Sequence, residues 1–295
     1  MTAMIALVGA QPLPNFIPIR TEKPSAALFV YTDRTERVYK QLEVVLRQET
    51  SVFGLQTDAY NIPTIEQAVR DWIEKQAVAS DTLVFNITGG TKTMSLALYR
   101  VAERYQAPML YVESERNQNR MYRYIWSNGL HLECKDLLPE CITLDDFLNM
   151  YFGHGEWKEY GPGNQEGSAF EQAIAHTLQQ AGYEVKLGVK VLNNQIDIDV
   201  IVRHENQVGI IEAKAGNNGS RMDGIKQLNN AAKQLGLYTR SFYVITVPPN
   251  ERHEDIVNAS NIKVVSLSGY VPGSKTLPSD QAQQLITRVD SALKG

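Results

Sequence analysis

Short apolar runs alternate with helically spaced apolar positions through the first half of the chain. Ile5–Val8 and Ala26–Tyr31 are continuous apolar stretches, closed by Gly9 and by Thr32-Asp33, and read as buried strands. Arg34–Arg47 puts Val38, Leu42 and Val45 on one helical face. Pro63–Gln76 does the same with Ile65, Ala68, Val69 and Ile73, with Pro63 suited to a first turn. Thr82–Ile87 is a further strand, running into Thr88-Gly89-Gly90-Thr91-Lys92 and then a helix through Met94, Leu98 and Val101. Met109–Val112 is the next strand. Strands alternating with helices predict a parallel, doubly wound α/β sheet, since parallel neighbours need a crossover that a helix supplies. Met121–Trp126 and Leu130–Glu133, split by Ser127-Asn128-Gly129, predict an appended hairpin.

The pattern then changes. Tyr151–Gly167 contains five glycines and one proline with few aliphatic residues, which predicts a linker. Helical spacing resumes at Phe170, Ile174 and Leu178. Strands are expected at Glu184–Val191, Ile196–Arg203 and Val208–Ala213, a helix at Met222–Leu235 and a strand at Phe242–Val247. The expected organisation is a domain over residues 1–150, a linker over 151–166 and a second α/β domain over 167–295. Past Tyr270 the pattern predicts no element.

Composition narrows the function classes. A chain of 295 residues, 43% hydrophobic, can bury two cores. No apolar run approaches the ~20 residues that cross a bilayer, and the first residues lack the basic start of a signal peptide. Cys134 and Cys141 form no CxxC pair, which argues against a zinc site or disulfide framework and suits a reduced, cytoplasmic setting. The net charge of -4 argues against a general nucleic-acid coat protein. Acids outnumber bases before Gln165 and balance them after it, so the second half would meet a polyanion through a local basic groove or through metal ions.

The second half carries a candidate catalytic set. Gln195-Ile196-Asp197-Ile198-Asp199 and Ile211-Glu212-Ala213-Lys214 lie on strands joined by the polar turn His204–Gln207. Residues two apart share a strand face, so Asp197 and Asp199 point one way, as do Glu212 and Lys214. Pairing the strands as a hairpin brings Asp199 toward Glu212. Two carboxylates at one end of a sheet make a hard oxygen site suited to Mg²⁺ or Mn²⁺, and Lys214 beside them can orient water or stabilise charge on a phosphate. An isolated ExK is more often an ordinary solvated strand end. Here it ends an apolar strand, an acid lies on the preceding strand, and a helix bearing Glu171 comes before both.

Phe170-Glu171, Asp199 and Glu212-Ala213-Lys214 resemble the PD-(D/E)XK core of restriction-endonuclease-like nucleases over about Gly167 to Thr246. The resemblance implies a metal site of Asp199, Glu212 and Glu171 and a catalytic set of these with Lys214. Asp197 is a rival for the metal position; Asp199 has the spacing to the ExK that better resembles the family. Ile198 stands where the nominal motif has proline.

The first half carries two loops of interest, Gly9–Asn15 and Asn86–Met94. In a parallel sheet both fall at the carboxyl ends of strands, where ligands bind. Glycines let backbone N–H groups approach a phosphate, a helix N-terminus favours an anion, and Lys92 adds a full charge. The spacing is neither a Walker A loop nor GxGxxG. A glycine turn with a capping threonine would account for Gly90 and Thr91, but not for Gln11–Asn15. The two loops together resemble the CARF domain of CRISPR-associated ancillary proteins. With the second half, the order resembles the Can/Card group of CARF nucleases. The resemblance implies a homodimer that binds a cyclic oligoadenylate, the tetramer, through Gln11, Pro12, Leu13, Asn15, Thr32, Thr88, Gly89, Gly90, Thr91 and Lys92. It implies that binding switches on metal-dependent cleavage of DNA, RNA or both in antiviral defence. The rival readings are a nucleotide-controlled regulator that grips nucleic acid without cutting, and a constitutive repair or restriction nuclease.

Overall fold

The computed structural model describes residues 1–115, 118–163, 167–191, 196–216, 223–236, 238–248 and 262–294. The chain folds as two units, Met1–Cys141 and Ile142–Gly295, each with its own sheet.

In the first unit the elements are β1 (Ala3–Leu7), α1 (Leu13–Glu22), β2 (Ala26–Tyr31), α2 (Glu36–Leu46), β3 (Ser51–Gln56), α3 (Ile62–Lys75), β4 (Leu83–Asn86), α4 (Lys92–Tyr105), β5 (Met109–Glu115), β6 (Gln118–Trp126) and β7 (Leu130–Leu137). The sheet order is β3-β2-β1-β4-β5-β6-β7. The first five strands are parallel, and β6 and β7 add the expected antiparallel hairpin. The chain steps outward from β1 to β3 and returns to β4 on the other side of β1. That reversal opens a crevice beyond the carboxyl ends of β1 and β4. Ile5, Leu7, Leu28, Val30 and Phe85 pack against Ile65, Val69, Leu98 and Val101 of α3 and α4.

Two elements here depart from expectation. β3 lies at the sheet edge with half-exposed positions, so it lacks the continuous apolar run that marks β1 and β2. The segment expected as a loop over Gln11–Asn15 enters α1 at Leu13. Pro12 and Pro14 are tolerated because first-turn N–H groups have no intrahelical partner to lose. Pro18, inside the helix, cannot donate to the Pro14 carbonyl; Asn86 Nδ2 donates to that oxygen instead, at 2.8 Å.

The second unit runs α5 (Leu144–Tyr151), β8 (Trp157–Glu159), α6 (Ser168–Gln180), β9 (Glu184–Val191), β10 (Ile196–His204), β11 (Gln207–Lys214), α7 (Asp223–Gln234), β12 (Arg240–Ile245), β13 (Ile262–Ser266) and α8 (Ser279–Leu293). The sheet order is β13-β12-β11-β10-β9-β8. β8 to β11 pair antiparallel, and β11 to β13 pair parallel. Phe170, Ile174 and Leu178 of α6 and Leu285 and Val289 of α8 pack on Val200, Val202, Ile211, Phe242 and Val244. α8 occupies the segment where no element was expected. Its buried Leu285, Val289 and Ala292 recur at helical spacing among many polar residues. The stretch expected as a linker contains β8, and α5, closed by a capping box between Thr143 and Asp146, belongs to the second unit. The glycines that suggested a linker bracket β8 rather than exclude it. Met222 and Gln195, expected at the starts of a helix and a strand motif, lie outside the described residues.

Candidate functional site

In β10 and β11, Val200 pairs with Ile211, so Asp199 and Glu212 are the next residues along each strand, where the ladder ends. Asp199 continues the pairing with its side chain: Oδ2 accepts the Ala213 N–H at 2.8 Å. Val200, Val202, Ile211 and Ala213 face the α6 core, so alternation turns Asp197, Asp199, Glu212 and Lys214 to the other face. The first turn of α7 covers that face. A Cβ at Gly224 would meet the Tyr243 ring at 2.8 Å, Lys214 Cε at 3.2 Å and Glu212 Cγ at 3.3 Å, so only glycine lets the helix approach this closely. Glu212 is left 3% exposed.

Lys214 Nζ lies 2.5 Å from Glu212 Oε1 and 3.7 Å from Asp199 Oδ2. Burial, then the Asp199 charge, pushes the Glu212 carboxyl up to about 7. The same two causes push Glu171, in the first turn of α6, up to about 7. Burial raises Asp199 as well, against the pull of Lys214 and the Ala213 N–H. Burial would lower Lys214, but Asp199 and Glu212 outweigh it and hold the ammonium above its usual range. Asp197 is placed differently: it is half-exposed and pairs with Lys190 at 2.8 Å. The structure thus brings Asp199, Glu212 and Lys214 together, with Glu171 within their field and Asp197 turned to another partner.

Among the described residues no group of three or more His, Cys, Asp or Glu is already gathered to hold a metal ion. The donor chemistry still fits a hard cation. The carboxylates share one ammonium, and burial first, then the neighbouring Asp199 charge, raises Glu171 and Glu212 beyond what Lys214 offsets. A divalent ion adds positive charge there.

The first unit holds a pocket of about 850 Å³ at the carboxyl ends of β1, β2, β3 and β4, touching Thr32, Gly90 and Thr91. Asp33, Arg34, Gln56, Asp58 and Tyr60 also line it and were not anticipated. They sit on the loop after β2 and at the end of β3 and the loop that follows it. The loop after β3 went unseen because β3 itself carried no strand pattern, although loops at parallel strand ends were the signal to look for.

The other expected ligand residues chiefly build this crevice. Asn15 is fully buried; its Nδ2 donates to Leu7 O at 2.9 Å and its Oδ1 accepts from Asn86 Nδ2 at 3.0 Å. Leu13 is buried in α1, and Pro12 is its N-cap. Gln11 is half-buried. Thr88 donates to Asn86 Oδ1 and accepts the Val112 N–H, tying the loop to β5. Gly89 is required by packing: a Cβ would lie 2.1 Å from Leu7 O. Gly90 has φ 72, and Thr91 caps α4 while donating to Ala59 O at 2.8 Å. Lys92 is exposed at the start of α4 and does not line the pocket.

The family model described as the Card1 CARF domain matches residues 3–147, and the restriction endonuclease model matches residues 164–268. The chain joins a CARF domain to a restriction-endonuclease-like domain. No curated protein matches it. Three solved structures share the fold. Can2 from Sulfobacillus thermosulfidooxidans, in complex with cyclic tetra-adenylate, superposes with a TM-score of 0.76 at 16% identity over 100% of both chains. Protein VC1899 from Vibrio cholerae gives 0.72 at 15% identity, covering 99% of this chain and 98% of that one. A type III CRISPR defence DNA nuclease activated by cyclic oligoadenylate gives 0.69 at 16% identity, over 96% of this chain and 51% of its own. The CARF half thus contains the pocket, and the nuclease half contains the carboxylate–lysine cluster. Restriction-endonuclease-like domains depend on divalent metal, and no described helix is long and apolar enough to cross a membrane.

Proposed function

We propose that this protein is a cyclic oligoadenylate-activated, metal-dependent nuclease of CRISPR antiviral defence. The observation that carries the reading is the Asp199–Glu212–Lys214 cluster, at the ladder end of a restriction-endonuclease-like sheet, in a chain that also has a CARF domain. Cyclic tetra-adenylate is the proposed activator, bound by a homodimer, and Mg²⁺ or Mn²⁺ the proposed ion; the setting is cytoplasmic. The first unit, Met1–Cys141, is the sensor, and the second, from Ile142 and including α5 and β8, is the nuclease. Thr32, Gly90 and Thr91 contact the activator directly, with Arg34, Asp58 and Tyr60 added from the pocket. Gln11, Pro12, Leu13, Asn15, Thr88 and Gly89 shape the loops, and Lys92 meets the ligand from the helix start.

Asp199 and Glu212, with Glu171, would hold the divalent ion. When bound, the ion polarises the phosphate and makes water a better nucleophile. The protein's own groups do the rest. The Ala213 N–H holds Asp199 in place, and α7 excludes water from Glu212. The water oxygen forms the new bond to phosphorus as the bond to the leaving oxygen breaks; the water gives up its proton to solvent and the leaving oxygen takes one from solvent. Lys214, beside Glu212, would stabilise charge growing on the phosphate. Activation requires that the cyclic ligand bind the cleaving arrangement more tightly than the resting one.

The test incubates the purified full-length protein with supercoiled plasmid, single-stranded DNA and RNA. Mg²⁺ or Mn²⁺ is included, with and without cyclic oligoadenylates of each ring size. Cleavage only with both metal and activator is expected. Cutting without activator would favour a constitutive nuclease, and tight nucleic-acid binding without cutting would favour a regulator.

A further inference from the structure

The edge of the nuclease sheet carries a second feature beside the carboxylates. β9 pairs with β10 so that Lys190 lies opposite Asp197, and β8 pairs with β9 so that Lys158 lies opposite Lys190. The chain leaves β8 through Tyr160 and Gly161, and both stay fastened to β9. Tyr160 N donates to Gly188 O at 2.9 Å, and Gly161 N donates to Leu187 O at 3.0 Å. Gly188 lies between Val189 and Leu187, which pair with Ile198 and Val200, so it stands beside Asp199. It has φ 64, and a Cβ there would meet Gly161 O at 2.4 Å. Gly188 is therefore what allows the Tyr160–Gly161 segment to dock on β9, across that strand from Asp199.

The docked tyrosine leaves most of its ring in solvent, at 58% exposed. Lys190 Nζ lies over that ring at 5.8 Å and is held by Asp197 at 2.8 Å. Both Tyr160 and Asp199 contribute to the electrostatic environment of Lys190, and Asp197 and Lys190 to that of Glu171, which places the group at the rim of the carboxylate cluster. Two strand spacings separate Tyr160 from Asp199, roughly 10 Å, a span within reach of one nucleotide.

We infer that Tyr160 is a stacking platform for one unpaired base of the substrate strand, next to the phosphate held at Asp199 and Glu212, with Lys190 and Lys158 contacting the flanking backbone. This rests on the nuclease reading of the same site. The ring face gives stacking, which every base can satisfy, and the two lysines give the positive charge that the balanced composition of this half otherwise lacks. Asp197 on this view is a positioning residue that steers Lys190 over the ring, and not a metal ligand. The face fits a single strand, because a base inside a duplex is stacked on both faces and has none to offer the ring.

The experiment uses the full-length protein carrying Glu212→Gln, which prevents cutting, with cyclic tetra-adenylate present. The probe is a short single-stranded thymidine oligonucleotide with one fluorescent purine analogue at successive positions. Quenching at one position is expected, lost in Tyr160→Ala and kept in Tyr160→Phe. Binding of the strand should weaken roughly 5- to 100-fold in Tyr160→Ala, the range for one base–aromatic stack. An abasic site at the quenched position should weaken the unsubstituted protein equally and leave Tyr160→Ala unchanged. Gly188→Ala, which displaces the segment without removing the ring, should also abolish quenching. Unchanged quenching and affinity in Tyr160→Ala would overturn the proposal, as would equal quenching in a duplex. Binding and quenching are read without cleavage, so a protein that stacks the base but never cuts supports this inference while refuting the nuclease reading.

Discussion

The nuclease half presses two acids and a lysine together beneath a helix, whereas the CARF half spreads its charged groups around a pocket whose loops are set by backbone and amide hydrogen bonds. At Glu212 and Asp199 two acids share Lys214 beneath the first turn of α7, and Glu212, with Glu171 in the field of Asp199, is pushed to about 7. Around the CARF pocket the corresponding contacts are Asn15 to Leu7, Thr88 to Val112 and Thr91 to Ala59. The contrast follows from the tasks proposed for each. Charge development at a phosphate is best met by charges already desolvated and in place. A binding pocket gains most from loops whose geometry is settled before the ligand arrives. A desolvated charge cluster is poised to take up a cation, while a hydrogen-bonded crevice holds its shape without one.

The comparison breaks most readily at the acid–lysine cluster. Asp199→Asn or Glu212→Gln should each reduce single-turnover cleavage by ~100-fold or more, while Asp197→Asn leaves most of it. Circular dichroism should show an intact fold in all three. Full activity in Glu212→Gln would remove the cluster from the chemistry.

The CARF loops should fail through shape. Gly89→Ala places a methyl against Leu7 O and should cost ~1–3 kcal/mol of stability, as forced overpacking does. Chemical denaturation followed in the isolated variant measures this, and activator binding should fall with it. A variant as stable as the unsubstituted protein would show that the loop yields and that its packing is not what the glycine serves.

The pH dependence sharpens the contrast. Glu212 and Glu171 are raised to about 7, so each holds a proton much of the time at neutral pH and must lose it to bind a cation. The metal concentration for half-maximal cleavage should therefore rise as pH falls below 7, by up to ~10-fold per pH unit for one proton, and level off above it. By the same linkage, these raised carboxyls favour folding fully below the unfolded Glu value of 4.5, and that contribution is lost as pH rises through about 7. Metal titrations at several pH values decide this; a flat requirement would mean that neither carboxyl titrates on binding.

The smallest effect separates two routes for the activator. Arg34 lines the pocket, whereas Lys92 lies outside it on α4. If the ligand enters the pocket, Arg34→Ala should weaken activation by ~1–2 kcal/mol and Lys92→Ala by less, with cleavage restored at saturating activator. An activator titration of both variants would show the reverse ranking if the ligand instead lies across the start of α4.

Alternation along Ile196–Val202 and Val208–Lys214 was enough to put Asp199 and Glu212 on neighbouring strands, because a strand's period fixes which side chains share a face. The same period left Asp197 and Asp199 equivalent. Their separation came from position along the sheet: Asp197 meets Lys190 on β9, while Asp199 meets the Ala213 N–H where the ladder ends. The buried strands β1, β2 and β4 were legible because parallel strands covered on both faces are continuously apolar. β3 and β8, at sheet edges, were not, since half-exposed strands lack that run. α1 was hidden by prolines whose cost vanishes only when Asn86, far along the chain, takes the freed Pro14 carbonyl. Residue types and local periodicity thus determined the two α/β halves, the acids and lysine of one and the loops of the other. Only the tertiary structure decided which acid faces Lys214, why Gly89 must be glycine, that the pocket draws on Arg34 and Tyr60, and that Tyr160 docks across β9 from Asp199. Each of those depends on backbone brought together from distant parts of the chain, and local pattern carries no record of a distant partner.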